Sequence, residues 1–173
     1  MKICIISFWT SENNYGQLFQ GYALQNYLKQ QGHNAYHLKY RVRKNKRPKL
    51  IRYIAKCIKF IINPYKKIKA IKANNFKNRR DIIRDFATFR NKYMSFSTIE
   101  YEGIEFLRKN PPTADYYITG SDQVWAQLIS QEDNRAFYLD FGNEKVNRIA
   151  YAASFAMTQY PTELLPELKQ LLL

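Results

Sequence analysis

Chemically active side chains crowd one short stretch of the sequence, directly after Gly120. Ser121, Asp122 and Gln123 bring a hydroxyl, a carboxylate and an amide, and Trp125 brings an indole. Such groups bind polar ligands, and a carboxylate like that of Asp122 can take a proton from a hydroxyl as a general base. The stretch can equally be a turn between a strand and a helix, in which Asp122 only caps the helix.

Two other short segments carry similar polar groups. Asn13 and Asn14 lie just before Tyr15 and Gly16, and Ser154 ends an apolar run that begins at residue 148. Asparagine caps helices and tolerates left-handed backbone, which is one explanation of the pair. The same amides can hydrogen-bond to sugar hydroxyls. If the strands before these segments are parallel, all three loops meet at one edge of a sheet.

The apolar pattern predicts the elements that hold these loops. Residues 2–8 form an apolar strand, residues 17–31 have apolar side chains at helical spacing, Gly32 closes that helix, and residues 35–40 form a second strand. This order predicts a right-handed βαβ unit, and therefore an α/β fold with parallel strands. Further along the chain the pattern predicts strands over 115–119 and 148–155, an extended segment over 136–141, and helices over 99–109 and 161–173.

Several function classes lack support in the sequence. Neither G-x-G-x-x-G nor the P-loop pattern occurs, so no nucleotide fingerprint is present. Two cysteines without a C-x-x-C pair indicate neither a disulfide framework nor a zinc site, and we predict no metal and no cofactor. His33 lies just before the predicted strand at residues 35–40 and His37 lies within it, and both are interpreted as structural. The apolar run at residues 3–6 is too short for a signal peptide or a membrane span, which predicts a cytoplasmic protein.

Positive charge is concentrated in the middle of the chain. The formal net charge is +14, yet residues 39–92 hold 20 of the 28 Lys and Arg residues and two of the 14 acidic ones. We therefore predict a basic helical insertion at about residues 41–93 within an otherwise slightly acidic domain. Its cations are either simply solvated, or residues 41–92 hold the protein peripherally at the inner face of an anionic membrane. Nucleic acid ranks last as a partner, because no helix-turn-helix and no aromatic RNA-binding platform is recognisable.

Four motifs, taken together and in order, resemble the polysaccharide pyruvyl transferase family. The first is residues 13–16 followed by residues 20–25, and the others are residues 120–125, 137–141 and 148–155; in sequence letters they read NNYG with QGYALQ, GSDQVW, FYLDF and RIAYAASF. The resemblance implies a Rossmann-like parallel sheet flanked by helices, as one half of a GT-B-like two-domain architecture. It also implies transfer of a pyruvyl group from phosphoenolpyruvate, as donor substrate, to a sugar of a cell-envelope polysaccharide or its lipid-linked precursor.

The polar loops suit the sugar acceptor better than the donor, because their groups are neutral or negative whereas the donor is a trianion. On this interpretation Asp122 is the catalytic base. The predicted substrate-binding residues are Asn13, Asn14, Tyr15, Gly16, Gly120, Ser121, Gln123, Trp125 and Ser154.

The chain departs from the family in one respect, because the family's donor-binding Arg and His motifs, expected in a C-terminal half, do not occur in it. Residues 1–173 are accordingly predicted to be the N-terminal, acceptor-side domain, without the C-terminal domain and incomplete for catalysis alone. The alternative hypothesis is a non-catalytic basic module that binds anionic membranes or nucleic acid.

Overall fold

The computed structural model describes residues 1–10, 14–43, 85–126 and 129–172. The chain divides into two units, Met1–Arg43 with Ala87–Leu173, and Lys44–Phe86, and the second lies almost entirely outside the described residues. In the described residues the strands are β1 (Lys2–Ile6), β2 (Asn34–Arg41), β3 (Phe96–Glu102), β4 (Tyr116–Gly120) and β5 (Asn147–Tyr151). The α-helices are α1 (Tyr15–Gln30), α2 (Phe86–Tyr93), α3 (Ile104–Lys109) and α4 (Leu165–Leu172), and 3-10 helices cover Val124–Ala126, Glu132–Tyr138 and Thr162–Leu164.

The five strands of the described residues form one parallel sheet in the order β3-β2-β1-β4-β5. This is the strand order of a Rossmann-like fold. From β1 the chain builds outward through β2 to β3, and it then returns to the centre and builds outward the other way through β4 to β5. The loops that follow β1 and β4 therefore diverge, and they leave a crevice at the carboxyl edge of the sheet, where ligands of open α/β sheets bind.

The sheet is covered on both faces, which explains why β1 is an unbroken apolar run. Its residues Ile3 to Ile6 are all buried, as expected of a central parallel strand. On one face Leu24 and Leu28 of α1 pack against the sheet. The larger core lies on the opposite face and consists of Cys4, Ile6, Leu38, Tyr40, Tyr101, Ile104, Leu107, Tyr117, Val124, Ala136, Phe137, Leu139 and Phe141.

The predicted βαβ unit is confirmed by β1, α1 and β2. Helix α1 begins where Asn14 accepts a hydrogen bond from the backbone N–H of Gln17 at 3.2 Å. It ends at Gln30, and Gly32 follows with a positive φ of 81°, which suits a glycine after a helix. The parallel arrangement of the strands before the three polar loops is confirmed as well.

Two predicted elements are wrong. Residues 99–109 are not one helix, because the chain forms β3, turns at Gly103 with φ of 80° and only then begins α3. Residues 136–141 are not extended, because Glu132–Tyr138 is a 3-10 helix that buries Phe137 and Tyr138. In both places a tertiary contact decided the structure: pairing with β2 in the first, and packing on the core in the second.

Most of the basic insertion predicted at about residues 41–93 lies outside the described residues. At its edges, Arg41 is the last residue of β2 and forms an ion pair with Glu100 of β3. Arg43 binds Asp133 and Glu105. No helix within the described ranges has both the length and the apolar composition needed to cross a bilayer.

Candidate functional site

The turn after β4 is shaped by a glycine that no other residue can replace without distortion. Gly120 has φ of 129°, and a Cβ placed there would lie 2.1 Å from the carbonyl oxygen of Tyr151. Ser121 follows with φ of 57° and donates its backbone N–H to that same carbonyl at 2.6 Å. The close approach of β4 and β5 therefore fixes the path of the loop that carries Asp122.

Backbone hydrogen bonds continue beyond the strands and hold the two loops side by side. Ser154 donates its N–H to the carbonyl of Asp122 at 3.0 Å, and Trp125 donates its N–H to the carbonyl of Ser154 at 3.2 Å. Ala152, in the second loop, also has a positive φ, of 49°. Non-glycine residues in left-handed backbone concentrate at functional sites, and here Ser121 and Ala152 lie in neighbouring loops.

Asp122 is joined to the start of α1 through Gln17. The side-chain amide of Gln17 donates to Asp122 Oδ2 at 2.5 Å, and Asp122 Oδ1 accepts the backbone N–H of Gln123 at 2.7 Å. The carboxylate is half-buried and is oriented by a donor on each oxygen. Gln17 was not among the predicted site residues. Its only sequence signal is its place in the first turn of the helix that follows the Asn14 cap.

The loop after β1 contributes its residues unequally. Asn14 caps α1, Gly16 lies within its first turn, and Tyr15 is 45 % exposed with its ring stacked on Phe19. Asn13 lies outside the described residues. The structure thus brings Asn14 and Gly16 into the helix start that Gln17 connects to Asp122.

Trp125 anchors the loop after β4 through one side-chain hydrogen bond and two ring contacts. Its indole N–H donates to the carbonyl of Phe137 at 3.1 Å, and its ring stacks on Tyr138 with 5.8 Å between centroids. Phe155 packs against it at 5.1 Å. The side chain that sequence reasoning assigned to substrate binding is engaged in packing, and Gln123 and Ser154 are exposed beside it.

We call the unit formed by Met1–Arg43 and Ala87–Leu173 the sheet unit. Several of its described arginines are bound to internal partners. These pairs are Arg43 with Asp133 and Glu105, Arg108 with Glu132 and Asp140, and Arg135 with Asp140 and Glu167. Arg148 donates to the backbone carbonyls of Leu139, Phe141, Asn143 and Val146 at 2.9–3.2 Å. These guanidinium groups therefore stabilise the fold. The accessible polar side chains beyond β4 and β5 include the carboxylate of Asp122, the amide of Gln123 and the hydroxyl of Ser154, whereas Ser121 is buried.

His37 lies in a small cavity under α1, together with Ser7, Gln17 and Gly21. Its Nε2 is 3.0 Å from the carbonyl oxygen of Gly21, and its Nδ1 is 3.4 Å from the hydroxyl of Ser7. Burial lowers the pKa of His37 to about 4, so the ring is neutral at pH 7. This is the structural role expected from the sequence.

The sequence model of the family described as polysaccharide pyruvyl transferase matches residues 14–173, a range that includes the loops after β4 and β5 and all of α1. No curated protein and no solved structure matches the chain.

Proposed function

The chain belongs to the polysaccharide pyruvyl transferase family, and from that premise we propose that its switch-point crevice binds the sugar acceptor and that Asp122 is the general base. The acceptor is a cell-envelope polysaccharide or its lipid-linked precursor, and the donor is phosphoenolpyruvate. The sheet unit is the acceptor-side wall of a GT-B-like cleft. Cations that hold the donor come from a second domain in this proposal, and residues 44–84 have no assigned part in it.

The reaction joins two hydroxyl groups of one sugar to the central carbon of phosphoenolpyruvate. The first hydroxyl oxygen adds to that carbon, and the double bond takes up one proton at the methylene carbon, which becomes a methyl group. The second hydroxyl oxygen then displaces phosphate, which leaves with the second proton. A base at the acceptor hydroxyl raises its nucleophilicity, and this is the role of Asp122.

The observation that carries the proposal is the bond between Gln17 and Asp122 across the switch point. It unites the loop after β1 with the loop after β4, so that one oriented carboxylate lies beside the exposed side chains of Gln123 and Ser154. Neutral hydrogen-bonding groups around a single carboxylate suit a polyhydroxylated, uncharged ligand. The carboxylate would repel a trianion, and the neutral groups would not neutralise its charge. Arg135 and Arg148 do not supply that charge either, since both are bound internally.

The test uses this chain together with the donor-binding second domain that the proposal requires, and it measures phosphate release from phosphoenolpyruvate with a panel of hexose and N-acetylhexosamine oligosaccharides. Asp122→Asn keeps the shape of the side chain and removes the base, so kcat should fall by a factor on the order of 10² to 10⁴. Asp115→Asn is the matched control. Asp115 lies just before the same strand, at the opposite edge of the sheet, where it accepts the N–H of Lys2 at 2.7 Å. Equal turnover by the two variants would remove Asp122 from the reaction.

A further inference from the structure

We propose that an exposed row of aromatic side chains beside the crevice binds additional sugar residues of the acceptor chain. We call it the aromatic ridge: Tyr15, Phe19 and Tyr22 of α1 with Phe89 and Tyr93 of α2. The ridge deepens the proposed function, on which it rests, because it extends the acceptor site beyond the sugar that reacts.

Three of the five residues of the ridge are exposed. Tyr15 is 45 % exposed and Phe19 and Tyr93 are each 48 % exposed, while Tyr22 and Phe89 are half-buried. Single exposed apolar residues are common, but contiguous exposed apolar surface marks a site of interaction. Tyr15, Phe19 and Tyr22 follow one another at the spacing of one helix face, and they cover about 10 Å along α1.

The rings hold one another in place. Tyr15 and Phe19 are stacked, with 5.8 Å between centroids and 18° between planes. Phe89 contacts Phe19 at 5.6 Å and Tyr22 at 5.4 Å, and Tyr93 contacts Phe89 at 4.9 Å. A surface of mutually packed aromatic rings loses little conformational freedom on binding.

Sugar rings fit this surface chemically. A pyranose presents C–H groups on its faces and hydroxyls around its edge, while an aromatic face carries partial negative charge and excludes water. The C–H groups therefore stack on the rings, and the tyrosine hydroxyls can exchange hydrogen bonds with the sugar edge.

Continuity with the crevice identifies the occupant as the glycan. The ridge begins at Tyr15, one residue after the Asn14 cap and two residues before Gln17, which contacts Asp122. A polysaccharide whose reacting sugar occupies the crevice must leave it along some surface. The first turn of α1 leads directly onto the ridge.

The experiment compares the unmodified chain with Phe19→Ala by saturation-transfer NMR, using a graded oligosaccharide series from monosaccharides to hexasaccharides. Loss of one stacking contact should weaken binding of the longer oligosaccharides about tenfold and leave monosaccharide binding unchanged. Tyr27→Ala is the matched control, because Tyr27 is 59 % exposed on the same helix and lies beyond the ridge.

Equal binding of the oligosaccharides by the two variants would overturn the aromatic ridge as a glycan site, and so would the absence of any preference for longer oligosaccharides in the unmodified chain. A third result would also overturn it: Phe19→Ala binds every oligosaccharide normally and is impaired only in binding phosphatidylglycerol vesicles or in self-association. The proposed function fails separately, if Asp122→Asn transfers pyruvate normally while the dependence on oligosaccharide length persists.

Discussion

Replacing Gly120 by alanine tests the geometry on which the crevice depends. The new Cβ would lie 2.1 Å from the carbonyl oxygen of Tyr151, in a backbone conformation with φ of 129°. That oxygen is fixed because it already accepts the N–H of Ser121 at 2.6 Å. The clash therefore cannot be relieved by rotating a flexible side chain, and β4 and β5 must separate at their carboxyl ends.

The magnitude follows from the separate costs. Forcing a residue with a Cβ into this region costs about 2 kcal/mol, overpacking against fixed backbone costs about 1–3 kcal/mol, and loss of the Ser121 hydrogen bond costs about 1 kcal/mol. We expect Gly120→Ala to lower the free energy of unfolding by about 5 kcal/mol. For a chain of this length that corresponds to a drop in Tm of roughly 15 °C.

Urea unfolding followed by tryptophan fluorescence measures this change, because both tryptophans, Trp9 and Trp125, lie in the sheet unit. Gly32→Ala is the matched control: Gly32 also has positive φ, of 81°, but nothing lies within 4 Å of its Cβ position. It should cost only about 1 kcal/mol. If Gly120→Ala is no more destabilising than Gly32→Ala, the close approach of the two strands is not the constraint described above.

Three further predictions concern the fold around the site. The pKa of His37 is about 4 in the folded chain and its ordinary value is 6.5, so on acidification the unfolded chain takes up this proton first. Lowering the pH from 6.5 to 4 should therefore reduce the free energy of unfolding by about 3 kcal/mol. Urea titrations at several pH values should show this dependence, and His37→Gln should abolish it. Asp133→Ala should cost about 3 kcal/mol, because Asp133 accepts the backbone N–H groups of Arg43 and Ile104 at 2.8 and 2.9 Å; a thermal melt unchanged from the unmodified chain would contradict this. Arg148→Lys should lower the free energy of unfolding by about 1–2 kcal/mol, because an ammonium cannot reach the set of loop carbonyls that the guanidinium binds; calorimetry decides this, and full stability of the lysine variant would contradict it.

Local sequence signals were sufficient for the first βαβ unit. The apolar run of β1, the Asn14 cap and the Gly32 stop each act within a few residues. Strand β3 was missed for the opposite reason. Its exposed Glu100 and Ile99 interrupt the alternation expected of a strand, and only pairing with β2 makes the segment extended.

The meeting of the polar loops at one edge of the sheet was predicted, and the contacts that join them were not. Gly120 and Asp122 were recognisable as a turn after a buried strand. The contact of Gln17 with Asp122 joins residues 105 positions apart, and it depends on the register between β1 and β4. The role of Gly120 depends similarly on where Tyr151 lies, which no local pattern encodes. Trp125 was assigned to binding because the sequence did not reveal that its indole N–H is bound to Phe137.

A double-mutant cycle between Gln17 and Asp122 tests the central claim most directly. The variants are made in this chain together with the donor-binding second domain, and kcat for pyruvyl transfer from phosphoenolpyruvate is the measured quantity. Gln17→Leu and Asp122→Asn should each slow transfer, and if Gln17 acts by orienting the carboxylate, the double variant should be no slower than Asp122→Asn alone. Such non-additivity would establish the two loops as one acceptor site. Fully additive losses, or a Gln17→Leu variant as active as the unmodified chain, would contradict it.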